Sequence, residues 1–301
     1  MSSAYWLALA TLPGIGSVTA RKLLERFGDV ESIFAASLAE LIEIPRITPD
    51  IAEQLLATPI ETLEAELVSL GDEGIDLLTW DDDRFPAHLR ALADAPLVLF
   101  VRGTLEREDE QAVAIVGKRT PGEHAVDLAT RLGRELASRG LTIVSGLALG
   151  IDTAAHRGAL EAGRTLAVLG SGIRVIHPRE NAELAQAIID RGALLSELHP
   201  NTPPRGPQLM ARDRIVSGLS RAVIVVEAGA QSGSLDTAAR ARKQGRLVYA
   251  VPGSAGTDQL IEAGARPLDP ASTDFNVLAA EIADHSPHGA ANASARQSSL
   301  W

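Results

Sequence analysis

Between residues 111 and 270 one pattern recurs six times, and it restricts the fold more than any other feature of the chain. A short, continuously apolar run gives way to small or polar residues. The runs are Ala112–Val116, Leu141–Val144, Thr165–Leu169, Ala193–Leu195, Ala222–Val226 and Leu247–Val251, most of them bounded by Gly, Ser or Pro. A strand wetted on one side alternates apolar and polar residues, whereas a continuous apolar run belongs to a strand covered on both faces. Helical stretches separate several of the runs: His124–Ser138, Thr153–Glu161, Ala182–Asp190 and Leu235–Lys243. Strands alternating with helices predict an α/β fold built on a doubly wound, mainly parallel sheet.

The flanks read differently. Leu12-Pro13-Gly14-Ile15-Gly16 leads into Ala20, Leu23 and Leu24, and 32 residues later Ile44-Pro45-Arg46-Ile47-Thr48 leads into Ala52, Leu55 and Leu56. Each copy spells helix, tight turn, helix, and the pair resembles a tandem helix-hairpin-helix of the SAM-like kind. Glycines in such a turn let backbone N–H groups approach a phosphate. The second copy has Arg46 and Thr48 in their place, so its hairpin is expected to work differently. A plain helical packing domain is the alternative. Two further strands are expected, Ile75–Trp80 and Pro96–Arg102, with a helical turn from Pro86 between them. After Pro270 no period is evident. The resulting division is a helical domain over 1–70, an α/β domain over 75–270, and a partly disordered tail or linker over 271–301. The larger domain is expected to stay folded without residues 1–70.

A chain of 301 residues has room for this arrangement. It has no cysteine, which excludes disulfides, thiolate metal sites and cysteine nucleophiles. Met1 to Ala10 lacks the basic region of a signal peptide, and no apolar run approaches the roughly 20 residues of a membrane span. A cytoplasmic protein is expected. The formal charge of −11 is unevenly spread. Residues 61–83 carry nine acidic side chains and no basic one, whereas residues 201–246 carry eight basic against three acidic. A solvated face is the ordinary reading of such a run.

In an open parallel sheet, ligands bind beyond the carboxyl ends of the strands. The distinctive residues fall there: Gly117-Lys118-Arg119, Ser145-Gly146 with Gly150-Ile151-Asp152, Gly170-Ser171-Gly172, Ser196-Glu197, and Glu227 with Gln231-Ser232-Gly233-Ser234. Any one glycine is explained as turn construction. Five such turns beside a basic segment point to an edge that receives an anion or polyanion on backbone N–H groups and helix N-termini. Asp152 and His156 read as a helix cap and a packed histidine, with a shared proton or metal as the alternative; Glu197 and His199 are discounted the same way. The enzyme signatures fail. Gly170 to Val175 lacks the third glycine of a dinucleotide fingerprint, Gly117 to Gly122 is followed by Glu123-His124 instead of the Walker Lys-Ser/Thr, and no G-x-S-x-G or zinc spacing occurs. No catalytic residue, metal or cofactor is expected.

Several long motifs in fixed order resemble one family over roughly residues 75–270. They are Ala114-Ile115-Val116-Gly117-Lys118-Arg119, the stretch from Val144 to His156, Arg212-Asp213-Arg214-Ile215-Val216-Ser217-Gly218-Leu219-Ser220, and Val226-Glu227-Ala228 through Ser232-Gly233-Ser234-Leu235. Gly245-Arg246 and Val251-Pro252-Gly253 close the set. Together they resemble the bacterial DNA-processing protein A family, also called Smf. The resemblance implies a Rossmann-like domain that binds single-stranded DNA without sequence preference, protects it, and loads the RecA recombinase during natural transformation. It implies a homodimer and no catalysis.

By matched position the resemblance makes Arg119 a phosphate contact beside Gly117 and Lys118. It places Arg212 and Arg214 on a basic segment, and Ser145, Gly146, Ser232, Gly233 and Ser234 on the pocket lining. Arg205, Leu209 and Lys243 complete the DNA-binding set. Lys118 stands where the family has serine, Asp213 where it has asparagine, and Leu209 where it has an aromatic. Arg205 is one position from an expected lysine. Many members carry a winged helix that is not expected within 271–301. Aromatic residues make up only 3% of the chain, so phosphate contacts are expected to outweigh base stacking. Two other readings remain. A nucleotide phosphoribohydrolase would need its P-G-G-x-G-T-x-x-E loop at Gly229 to Asp236, where the double glycine and threonine are missing. A protein adaptor would use the basic edge to hold acidic partners.

Overall fold

The computed structural model describes residues 2–286. Six helices open the chain: α1 (Ser2–Thr11), α2 (Ser17–Phe27), α3 (Val30–Ala35), α4 (Leu38–Ile42), α5 (Pro49–Leu56) and α6 (Ile60–Asp72). Then come β1 (Ile75–Thr79), α7 (Ala87–Arg90) and β2 (Val98–Gly103). The repeated part follows as β3 (Ala112–Val116), α8 (Glu123–Ala137), β4 (Thr142–Ser145), α9 (Ile151–Ala162), β5 (Thr165–Val168), α10 (Ala182–Arg191), β6 (Ala193–Ser196), α11 (Gly206–Leu219), β7 (Ala222–Val225), α12 (Gly233–Lys243), β8 (Leu247–Ala250), α13 (Ala255–Glu262), β9 (Arg266–Pro267) and α14 (Phe275–Asp284).

All nine strands form one sheet in the order β1-β2-β6-β5-β4-β3-β7-β8-β9. Every pairing among β3 to β9 is parallel, and β1 and β2 extend the β6 edge antiparallel. The chain enters the parallel part at β3, builds outward to β6, then returns to lay β7 on the other side of β3. The order of construction therefore reverses between β3 and β7, the place where ligands bind in such sheets.

Strand β3 shows why its run is unbroken. Val113 and Ile115 pack with Leu128, Leu132 and Leu136 of α8 and with α9 and α14, whereas Ala112, Ala114 and Val116 pack with Ile215, Val216 and Leu219 of α11 and with α12. The second apolar cluster continues without a break into the N-terminal helices through Leu70, Ile75, Trp80 and Trp6. Trp6 and Trp80 lie 5.5 Å apart, and the Trp6 Nε1–H donates to Asp81.

Three expectations are corrected. Residues 206–219, absent from the predicted helices, form α11. Residues 275–284, expected to begin the aperiodic tail, form α14, whose Phe275, Leu278, Ala279 and Ile282 are buried. Residues 287–301, where the rest of that tail and the absent winged helix were expected, lie outside the described residues. The second hairpin does reproduce the first: Arg46 adopts φ 80° where Gly14 has φ 86°, and Ile47 and Ile15 close the same turn to Ile44 and Leu12.

Candidate functional site

At the β3/β7 reversal a cleft of about 400 Å³ opens beyond the strand ends. Gly117 and Arg119 leave β3 on one side, Ala148 and Asp152 follow β4, and Ser232, Gly233 and Ser234 start α12 opposite. The first two turns of α11 lie across it, bringing Gly206, Leu209, Met210, Arg212 and Asp213.

Arg119 is exposed. Among the described residues the cations expected beside it are already paired. Lys118 Nζ lies 3.1 Å from Glu227 Oε1, and the other oxygen of that carboxylate accepts the Gly122 N–H. Arg214 donates to both oxygens of Glu197, at 2.6 and 2.5 Å, and to the carbonyl of Asp94. Arg214 is thus held away from the cleft in an ion pair, its side chain only 14% exposed.

Arg212 is buried on the cleft floor. Its guanidinium lies flat on Gly146, with Nη1 only 1.3 Å from where a Cβ at that position would stand. A side chain at 146 would require that guanidinium to move. Asp213 Oδ1 is 3.4 Å from Arg212 Nε. Burial pushes the Asp213 carboxyl up to about 6 against the opposing pull of Arg212.

The loop Gly146 to Ala148 is fixed from two sides. Asp152 accepts the N–H groups of Gly146 and Ala148, and Asn181 donates to the carbonyl of Leu147. Leu147 is fully buried at φ 60°, a left-handed conformation that costs a leucine about 1–2 kcal/mol and persists only where its surroundings impose it. Burial raises the Asp152 carboxyl above its ordinary range, with Arg212 and the two N–H groups opposing. Asp152 therefore serves the loop ahead of α9 instead of capping the helix. His156 makes no bond to it and meets Thr165 Oγ1 at 2.6 Å; burial and then Arg212 push its imidazole down to about 3. Glu197 belongs to Arg214, and His199 to Glu66 at 2.7 Å.

The five small-residue turns divide into two classes. Those after β3, β4 and β7 line the open cleft. Those after β5 and β6 are packed shut. Leu209 lies 2.6 Å from a Cβ built on Gly170, and Ser196 Oγ donates to the Ser171 carbonyl. Ser145 is fully buried and donates to the Ile115 carbonyl, so it supports the floor without lining it. Arg205 is exposed at the start of α11, and Lys243 is exposed at the far end of α12 from the cleft. The structure thus brings together Gly117, Arg119, Leu209, Arg212, Ser232, Gly233 and Ser234, with Gly146 beneath. It leaves Lys118, Arg205, Arg214 and Lys243 outside. Met210 was not foreseen. It is 45% exposed on the cleft rim, within the first turns of α11. Asp236, the carboxylate that a phosphoribohydrolase reading requires, is held by Arg240 at 2.6 Å.

Among the described residues no cluster of three His, Asp or Glu side chains could hold a metal ion, and no helix is long and apolar enough to cross a membrane. The model of the DNA recombination-mediator protein A family matches residues 76–278, and a SAM-like helix-hairpin-helix tandem matches residues 7–58. Protein Smf of Escherichia coli is 42% identical over 207 residues, covering 68% of this chain and 55% of its own length. Protein Smf of Synechocystis is 36% identical, with 83% and 65% covered. The chain thus spans about half to two thirds of the length of these relatives. DNA processing protein A of Streptococcus pneumoniae superposes with a TM-score of 0.79 at 32% identity, over 94% of this chain and 98% of that one. A structure of DNA processing protein A from Helicobacter pylori, described for its single-stranded DNA binding mode, superposes with a TM-score of 0.62 at 30% identity over 68% and 97%. With two thirds of its length matched by one family model, and with that model's fold around the cleft, the chain belongs to the DNA recombination-mediator protein A family.

Proposed function

We propose that this chain binds single-stranded DNA by its phosphate backbone in the β3/β7 cleft, without preference for base sequence. In this reading it protects the strand and loads it with RecA recombinase during transformation and recombination, acting in the cytoplasm as a homodimer and catalysing no reaction. One observation carries the binding step: Arg119 is an exposed guanidinium outside every ion pair at this edge, facing the start of α12 across a cleft with an apolar rim. A helix N-terminus and an arginine converging on one space favour a phosphate group. Leu209 and Met210 offer an apolar, polarisable surface to a base without reading its edges. The single-strand binding described for the Helicobacter pylori relative supports the reading.

The experiment compares Arg119→Ala with Arg214→Ala against oligo-dT over a range of salt. Arg119→Ala is expected to weaken binding, to flatten the salt dependence by roughly 0.7 for one lost phosphate contact, and to leave the melting temperature nearly unchanged. The loss should be the same for unrelated base sequences. Arg214→Ala is expected to cost on the order of 3 kcal/mol of stability, since it strands the Glu197 carboxylate, while the slope stays as it was. An Arg119→Ala protein that binds like the wild type at every salt concentration sinks the proposal.

A further inference from the structure

A second concavity, larger than the β3/β7 cleft, lies elsewhere. A cleft of about 750 Å³ is formed at the carboxyl end of α12, against α7 and the segment that follows it. Arg240, Arg242, Lys243 and Arg246 line it together with Asp94 and Asp236. Cations in the last turn of a helix are ordinarily explained by the helix dipole. Two of the four are already engaged by specific partners: Arg240 pairs with Asp236, and Arg242 donates to the Leu260 carbonyl. Asp94, the other carboxylate, faces Arg214 at 3.7 Å. Lys243 is exposed, and Arg246 is 94% buried; its Nη2 donates to the carbonyls of Gly218 and His88, while its Nε is unpartnered. Beside it both ring nitrogens of His88 and Oε1 of Gln244 are buried without partners. Burial, and then Arg221, push the Arg246 guanidinium down to about 10, as happens when a cation lacks a counter-charge. An exposed ammonium beside a buried guanidinium with no carboxylate partner among the described residues, in a chain of charge −11, is suited to an anion.

We propose that this cleft is a second phosphate site, occupied by the backbone of a strand whose first phosphates lie in the β3/β7 cleft. The proposal rests on the reading of that cleft as the strand's entry. The two clefts sit at opposite ends of the same 11-residue helix, about 16 Å apart. A strand bridges that span with about five nucleotides at a stacked step of roughly 3.4 Å. Asp236 and Arg240, on the side of the second cleft that faces the first, neutralise one another.

The test measures the affinity of Lys243→Glu for a short oligo-dT that reaches only one cleft and for one about four times longer. For the longer strand we expect a loss of about five-fold or more, with the salt slope lowered by roughly 0.7. For the short one we expect wild-type affinity. Arg119→Ala should weaken both. An unchanged long-strand affinity at every salt concentration overturns the proposal, and so does an equal loss for both lengths, which would reflect general repulsion. If Arg119→Ala binds normally while Lys243→Glu loses the long strand, the reading of the β3/β7 cleft fails and this site stands. Inorganic phosphate separates a free anion from a strand. A phosphate-induced rise in melting temperature that Lys243→Glu abolishes, without any length dependence, removes the strand as occupant. Should the charge reversal unfold the protein, Lys243→Ala supplies the same comparison.

Discussion

Asp213 decides the net charge of the open cleft. The ionisable groups lining it are Arg119, Arg212, Asp152 and Asp213, which cancel when all are charged. The Asp213 carboxyl titrates at about 6, raised by burial and then by its carboxylate neighbours Asp152 and Asp236 against the pull of Arg212 and Arg240. Its proton makes the cleft positive. We expect strand affinity to rise as pH falls from about 7.5 to about 5, and Asp213→Asn to bind with the acid-side affinity throughout. His156, held near 3, stays silent over that interval. The same group acts on stability. A carboxyl with a higher pKa in the folded than in the unfolded chain stabilises the fold below the unfolded value of 3.8, and that contribution is lost as pH rises through about 6. Asp213→Asn is therefore expected to raise stability at neutral pH by up to about 3 kcal/mol, read as a higher melting temperature. A wild type whose affinity does not change over this range would contradict the assignment. None of this was legible from spacing. Lys118, Arg119 and Arg214 look alike in the sequence, and what separates them is Glu227, 109 residues from Lys118, and Glu197, 17 residues from Arg214.

Among the elements, the two hairpins show how a turn is kept when its glycine is not. Arg46 occupies the left-handed region at a cost of about 1–2 kcal/mol, a conformation that glycine enters freely. Thr48 compensates by capping α5 at the Ile51 N–H, where Gly16 leaves α2 without a side-chain cap. Arg46→Gly should stabilise the protein by up to about 1 kcal/mol once the added freedom of the unfolded chain is subtracted. An unchanged or lower melting temperature would mean that the Arg46 side chain contributes more than the strain costs. The strands were readable because burial on both faces forces unbroken apolar runs. Ala112–Val116 matches its predicted bounds, and Leu247–Val251 differs from β8 by one residue. Helix α11 was obscured because Gly206-Pro207 reads as a turn, although proline also suits a first helical turn, and because a buried arginine interrupts its apolar face. For α14 the signal was present: 275, 278, 279 and 282 follow helical spacing, masked by the polar stretch before it.

Across the whole molecule, the helical segment and the sheet share one apolar core, with a tryptophan pair at their junction. Trp6 is fully buried against Trp80, Arg21 lies over the Trp80 ring at 4.5 Å, and Ser17 reaches the Ala93 carbonyl. We propose that the division near residues 70–75 is one of architecture and not of stability. Trp6→Ala is then expected to cost about 3–5 kcal/mol and to lower a single melting transition of the entire chain. Two separate transitions, with the later one unmoved, would show that the sheet stands alone. Strand β3 has a further consequence, for the chain while it is being made. Its partner β7 pairs at Val113↔Ala222, so the ribosome adds about a hundred residues, over roughly 5–20 seconds, between the two. During that interval β3 is an open, wholly apolar edge, the kind that invites pairing with another chain. Arg119 has by then emerged, but the start of α12 opposite it has not. In a nascent chain surrounded by messenger and ribosomal RNA, the β3/β7 cleft is thus expected to remain blind to nucleic acid until α12 has been made.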